Sequence, residues 1–235
     1  PGIQYDQDFT KNRMLIVHPN VAPYLLALTV HGTWEFKIAP LTGAPSGWSN
    51  DNWPACIDWG FQGRLWLGGA PDEPNIFVGS RSGSPFDFAT GGADADDPVS
   101  FTASIRGALR WLQGQKVLLL GAERVEQSAS SGASVIAPGN PPDVRDESAF
   151  GSAAIQAAHI GDQAIWVTRD GRHVRAMDYD LQKDGWVSKA LTFAAEHLTV
   201  GGVREVHFAR SPVPTIVARV ENTLIACTYD RAEQV

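Results

Sequence analysis

Ile165-Trp166-Val167-Thr168-Arg169-Asp170-Gly171-Arg172-His173-Val174-Arg175-Ala176-Met177 decides the fold. It is an apolar run, a polar connection carrying Asp-Gly, and a second run that resumes alternation. Asp-Gly between two such runs is a strong short-range signal for a hairpin of antiparallel strands. The same unit recurs along the chain. Its first run reappears at Met14-Leu15-Ile16-Val17, Leu65-Trp66-Leu67, Val117-Leu118-Leu119-Leu120 and Ile216-Val217-Ala218. Taking Leu15, Leu65, Val117, Ile165 and Ile216 as markers, the steps are 50, 52, 48 and 51 residues. The second run begins near Leu25, Ile76, Val125, Val174 and Leu224, with steps of 51, 49, 49 and 50. Two independent series with one period mark an internal repeat.

A third series precedes each hairpin: Ala55–Phe61, Ile105–Leu112, Ala154–Ile160 and Val203–Ala209. A fourth follows it: Thr33–Ile38, Phe86–Ala89 or Val99–Ala103, Val135–Ala137 and Trp186–Leu191. Up to four short antiparallel strands in about fifty residues is the period of a longer propeller blade. The reading is therefore all-β: a β-propeller of about five four-stranded blades, or an arc of a larger propeller. One propeller domain is expected over 1–235, with units near 1–50, 51–102, 103–150, 151–200 and 201–235. The last unit lacks an outer strand, and Pro1–Tyr5 are candidates to supply it. Only Phe193–Leu198 reads as a short helix, with Thr192 as N-cap. The chain opens on Pro1-Gly2 and stops at Gln234-Val235, and is read as a piece of a longer protein.

Net charge is −7 and hydrophobic residues make up 43%. That suffices for a core but supplies no basic face, which argues against tight duplex binding. No apolar run is long enough for a membrane-spanning helix. Cys56 and Cys227 both lie in strand-like runs and read as buried free thiols. Trp66, Trp111 and Trp166 recur within strands and read as packing between blades, whereas Trp48 and Trp53 are candidate exposed contacts.

The search for chemistry returns no catalytic, cofactor-binding or metal-ligating set. Gly79-Ser80-Arg81-Ser82-Gly83 lacks the spacing of a nucleophile elbow. Asp94, Asp96 and Asp97 alternate in a loop as calcium ligands do, without the glycine and distal glutamate of an EF-hand. For a glycoside-cleaving or carbohydrate-binding propeller, the candidate carboxylates are Asp58, Asp162 and Glu205. His159 and His207 fall on innermost strands and read as core or channel residues.

Several phrases, in order, resemble the tail tubular (nozzle, or tail stabilization) proteins of short-tailed bacteriophages. They are Arg13-Met14-Leu15-Ile16-Val17-His18-Pro19 with Pro23-Tyr24 and Trp34; Trp53-Pro54 through Gly63-Arg64-Leu65-Trp66 to Gly69; Ile76 through Ser80 and Gly83 to Phe86-Asp87-Phe88; and Asp96-Asp97-Pro98-Val99. Val167 through Arg169-Asp170-Gly171 to Tyr179, Leu191-Thr192 through His197-Leu198, and Thr228-Tyr229 through Val235 complete the set. Leu67 stands where the family favours an aromatic. The resemblance implies a non-enzymatic virion protein that rings up, commonly as hexamers, beneath portal and adaptor proteins. It implies a channel through which DNA exits, location in the virion tail and, before assembly, the host cytoplasm. A prophage remnant would carry the same phrases.

Overall fold

The computed structural model describes residues 2–8, 10, 12–104, 107–132 and 134–229. Nineteen strands are present among them, in five antiparallel sheets. Blade 1 is β1 (Gln4–Asp8), β2 (Arg13–His18), β3 (Val21–Leu28) and β4 (Trp34–Ile38). Blade 2 is β5 (Cys56–Trp59), β6 (Leu65–Ala70), β7 (Glu73–Gly79) and β8 (Val99–Thr102). Blade 3 is β9 (Leu109–Gly114), β10 (Leu118–Ala122), β11 (Glu126–Ser130) and β12 (Asp143–Ser148). Blade 4 is β13 (Ala158–Ile160), β14 (Gln163–Val167), β15 (Val174–Asp180) and β16 (Gly185–Ala190). Blade 5 is β17 (Val203–Ala209), β18 (Thr215–Val220) and β19 (Thr223–Thr228). Strands follow one another in sequence order across every blade, and the chain is a five-bladed β-propeller.

The apolar runs explain the stacking. Side chains alternate between the two faces of a strand, so a run apolar at every position is buried on both. On β6, Leu65 and Leu67 face blade 1 and join Leu15, Val17 and Leu25, whereas Trp66 faces blade 3 with Phe77, Leu118 and Leu120. On β10, Leu119 turns the other way, toward Trp166, Met177 and Trp186 of blade 4. Ile165 and Val167 of β14 then face Val206, Ile216 and Ala218 of blade 5. Packing here is tight enough to demand glycine: a Cβ on Gly121 would stand 1.9 Å from the Trp111 ring.

Four such cores join blades 1 to 5 in series. Among the described residues none joins blade 5 back to blade 1. The far face of β18 carries Thr215, Val217 and Arg219, whose mixed polarity would not build one.

Several expectations are corrected. Tyr5 belongs to β1, which pairs along its length with β2 as the first strand of blade 1 and does not complete blade 5; Pro1 lies outside the described residues, as do Ile105, Arg106 and 230–235. The fourth strand of blade 3 is Asp143–Ser148, not Val135–Ala137, which form only an isolated bridge to Asn140. Blade 2 uses Val99–Thr102. The helix expected at Phe193–Leu198 is a 3-10 turn at Glu196–Thr199, and the Thr192 hydroxyl instead accepts the Val174 N–H. Trp48 is buried against Phe88, at 6.4 Å between ring centroids, and Trp53 is half-buried in the same core. Cys56 is buried, but Cys227 is exposed on β19, which no fourth strand covers among the described residues.

Candidate functional site at the central cavity

The first strands of the blades surround the middle of the molecule: β1 touches β5, β5 touches β9, and β13 touches β17. Each has a partner strand on its outer side only, so backbone groups on its inner edge need other partners. Carboxylates supply two of them. Asp6 of β1 accepts the Trp59 N–H of β5 at 2.6 Å. Asp58 of β5 accepts the Gly114 N–H of β9 at 2.5 Å and the Phe61 N–H at 3.4 Å. Each acid therefore ties its blade to the next. Glutamines continue the pattern: Gln115 donates to the Gln163 carbonyl at 3.1 Å, and Tyr229 donates to the Gln163 side chain at 2.5 Å. Across the middle, Gln156 and Tyr5 exchange two hydrogen bonds, at 2.6 and 3.0 Å.

Burial, together with the nearby Asp58 charge, raises Asp6 to about 7 against the pull of the Trp59 and Gln7 N–H groups. Burial also raises Asp58, opposed by the Gly114 and Phe61 N–H groups and by His159. Asp58 is tightly surrounded by protein atoms yet keeps some surface in contact with solvent.

Beside this belt lies a cavity of about 730 Å³ between blades 1, 4 and 5, lined by Tyr5, Gln156, Arg204, Glu205, His207 and Arg219 among others. Glu205 pairs with Arg219 at 2.6 Å and lies 3.7 Å from His207. The Arg219 hydrogen bond holds its carboxyl below the usual range. Asp170, on the same wall, is pushed up by its partial burial but brought down to about 2 by Thr168, the Arg172 N–H and His173. The three carboxylates singled out from sequence thus have different settings. Asp58 ties β5 to β9, Asp162 sits in the turn between β13 and β14, and Glu205 is ion-paired at the cavity wall.

The acidic loop is filled from within. Arg64, fully buried, donates to the carbonyls of Ala95 (2.6 Å), Asp97 (2.8 Å), Asp96 (3.3 Å) and Ser80 (2.5 Å). Arg81 pairs with Asp97 at 2.7 Å and Asp87 at 2.9 Å. The Asp96 and Asp97 carboxylates are thus engaged by Arg81, and Asp97 also accepts the Asp94 N–H at 3.0 Å. No group of three or more metal-ligating side chains is assembled among the described residues. Ser80 is buried, its hydroxyl accepting the Leu65 N–H at 2.9 Å, so its role there is structural.

Sequence reasoning missed Asp6, although it stands one period, 52 residues, before Asp58. It also missed His173, held between Asp170 (2.8 Å) and Glu196 (3.4 Å).

No family model matches this chain, and no curated protein matches it. Among solved structures it is similar to the β-propeller domain of Myceliophteria thermophila Cps50 (Swd1), with a TM-score of 0.57 at 10% identity over 93% of this chain and 66% of that one. A luciferin-regenerating enzyme aligns over 75% of this chain and 73% of its own at 9% identity, with a TM-score of 0.33 that carries no argument. This chain thus spans just under two thirds of the Cps50 domain's length, and at such identity the likeness establishes the fold alone: this is a β-propeller.

Proposed function

We propose that this chain is a structural piece of a phage or prophage tail, part of the tube or nozzle through which DNA leaves, and not an enzyme. The observation that carries the reading is where the family-like phrases meet. Arg13 of the first phrase lies over the rings of Trp59 and Phe86, at 5.3 and 5.4 Å, which belong to the second and third. Trp59 and Phe86 pack edge to face at 5.8 Å. Arg64 of the second phrase clamps Ser80 of the third and Asp96-Asp97 of the fourth. The first four phrases thus form one contiguous cluster whose work is to fix blade 1 on blade 2 and hold a loop. A tail subunit needs such rigidity in order to present loops to its neighbours.

By the same resemblance its partners are further copies of itself, in a ring of six, and the adaptor and portal proteins, with DNA passing through. The acidic balance of the chain, −7, suits a passage that DNA must not stick to. The glycoside-cleaving alternative needs a proton-holding acid and a second carboxylate facing one cavity. Asp6, raised to about 7, can hold a proton but serves the Trp59 N–H, whereas Glu205, which does line the cavity, is kept ionised by Arg219.

The test is a density gradient of particles from cells that carry the gene, blotted for this chain. Sedimentation with DNA-filled particles is the expected result. Recovery only at the top of the gradient while particles sediment would overturn the reading.

A further inference from the structure

β4 is the outermost strand of blade 1, and among the described residues no strand covers its far edge. Two hydrogen bonds bracket its ladder with β3: Thr29 N–H to the Thr33 carbonyl and Ala39 N–H to the Pro23 carbonyl, each 2.8 Å. In an antiparallel pair, backbone groups point toward the partner at every second residue. Glu35 and Lys37, with the Thr33 carbonyl and the Ala39 N–H, thus spend theirs on the β3 side, and Trp34, Phe36 and Ile38 direct theirs outward. The side chains of those same three residues form an apolar stripe on one face, 61%, 60% and 60% exposed, with Tyr24 stacked on Phe36 at 4.8 Å. Glu35 and Lys37 occupy the other face, paired at 2.7 Å and each about half exposed.

We propose that β4 pairs edge to edge with β4 of a second copy of this chain, antiparallel, about a two-fold axis at Phe36. That register sets Phe36 opposite Phe36 and Trp34 opposite Ile38, so outward backbone groups meet outward groups along the whole strand. It also sets Glu35 opposite Lys37, twice. Cross-strand neighbours of opposite charge attract and those of like charge repel. Shifting the axis by one residue either way sets Glu35 against Glu35 or Lys37 against Lys37. Shifting it by half a residue sets outward groups against inward ones. The charges that commonly guard an exposed edge here select a single self-complementary register. The result is a continuous eight-stranded sheet across two copies, with the stripes of Trp34, Phe36 and Ile38 side by side on one face. This two-fold contact rests on β4 alone and stands independently of the tail reading.

One strand pair buries less than a standard interface, so the dimer should be weak, with a dissociation constant on the order of 10 µM. Sedimentation velocity from 1 to 200 µM would follow it, with circular dichroism confirming that each variant is folded. Native protein should pass from monomer to dimer across that range. Glu35→Lys and Lys37→Glu should each weaken the dimer at least tenfold, because each sets like charges opposite one another. The double exchange Glu35→Lys with Lys37→Glu should restore it. A native protein that stays monomeric, a dimer indifferent to both single changes, or a double exchange that remains as weak as the singles would overturn the proposal.

Discussion

Asp6→Asn should make the protein more stable above neutral pH, not less. Asp6 has a folded pKa of about 7 against an ordinary value of 3.8, raised first by burial and then by the Asp58 charge. The folded state therefore binds its proton more tightly than the unfolded chain does. Stability from this group is complete below pH 3.8 and is lost as pH rises toward 7. Each pH unit between the two values is worth about 1.4 kcal/mol, which gives about 4 kcal/mol in all. Water reaching the half-buried side chain trims this to about 2–4 kcal/mol. Asparagine keeps an oxygen for the Trp59 N–H, now received at 2.6 Å, and carries no charge to desolvate. Urea unfolding of both proteins at half-unit steps from pH 4 to 8 measures the effect. The native curve should fall across that range while the variant's falls much less, so that the variant is the more stable at pH 8. A residual slope in the variant is expected from Asp58, whose pKa is raised in the same sense. Parallel curves for the two proteins, or a variant less stable at pH 8, would refute the reasoning.

Arg64→Met should cost roughly 3–5 kcal/mol, because the carbonyls of Ser80, Ala95, Asp96 and Asp97 lose a buried donor; Tm should fall by on the order of 10 °C, and a fall of only a degree or two would contradict the clamp. Gly121→Ala must displace the Trp111 ring, which packs 6.1 Å from Trp166; we expect a loss of about 1–3 kcal/mol or more with a changed near-ultraviolet spectrum, and unchanged urea midpoint and spectrum would count against the packing described. Cys227 should react with an aromatic disulfide reagent in the folded protein, whereas Cys56, buried and with its thiol pushed up by burial, should react only on unfolding; two fast equivalents or none would be inconsistent with this arrangement.

The hairpins at the heart of each blade were legible in the sequence because their strands are buried on both faces. Leu65-Trp66-Leu67 and Ile165-Trp166-Val167 can be little else once the fifty-residue period is seen. Most edge strands were legible too, β17 at its full length, but β1 and β12 were not, for the opposite reason. β1 reads Gln-Tyr-Asp-Gln-Asp, a strand whose Asp6 and Gln4 side chains serve backbone groups of blades 2 and 3 and which shows no apolar alternation. β12 reads Asp-Val-Arg-Asp-Glu-Ser, and its acids receive Gln127 and Ser128 hydrogen bonds at 2.5 Å each, whereas the more apolar Val135–Ala137 lies in a loop. Hydrophobic pattern finds strands that bury both faces and passes over strands held by polar ties. The site followed the same rule. Asp58 stood out beside Trp59, but its bond to Gly114 crosses to another blade, 56 residues away, and no local signal carries that.

Labelling particles with gold-conjugated antibody to this chain, in electron micrographs of lysates from cells that carry the gene, tests the tail reading most directly. The account predicts gold on short tails just below the capsid vertex. Gold confined to cell debris, with unlabelled tails in the same field, would contradict it.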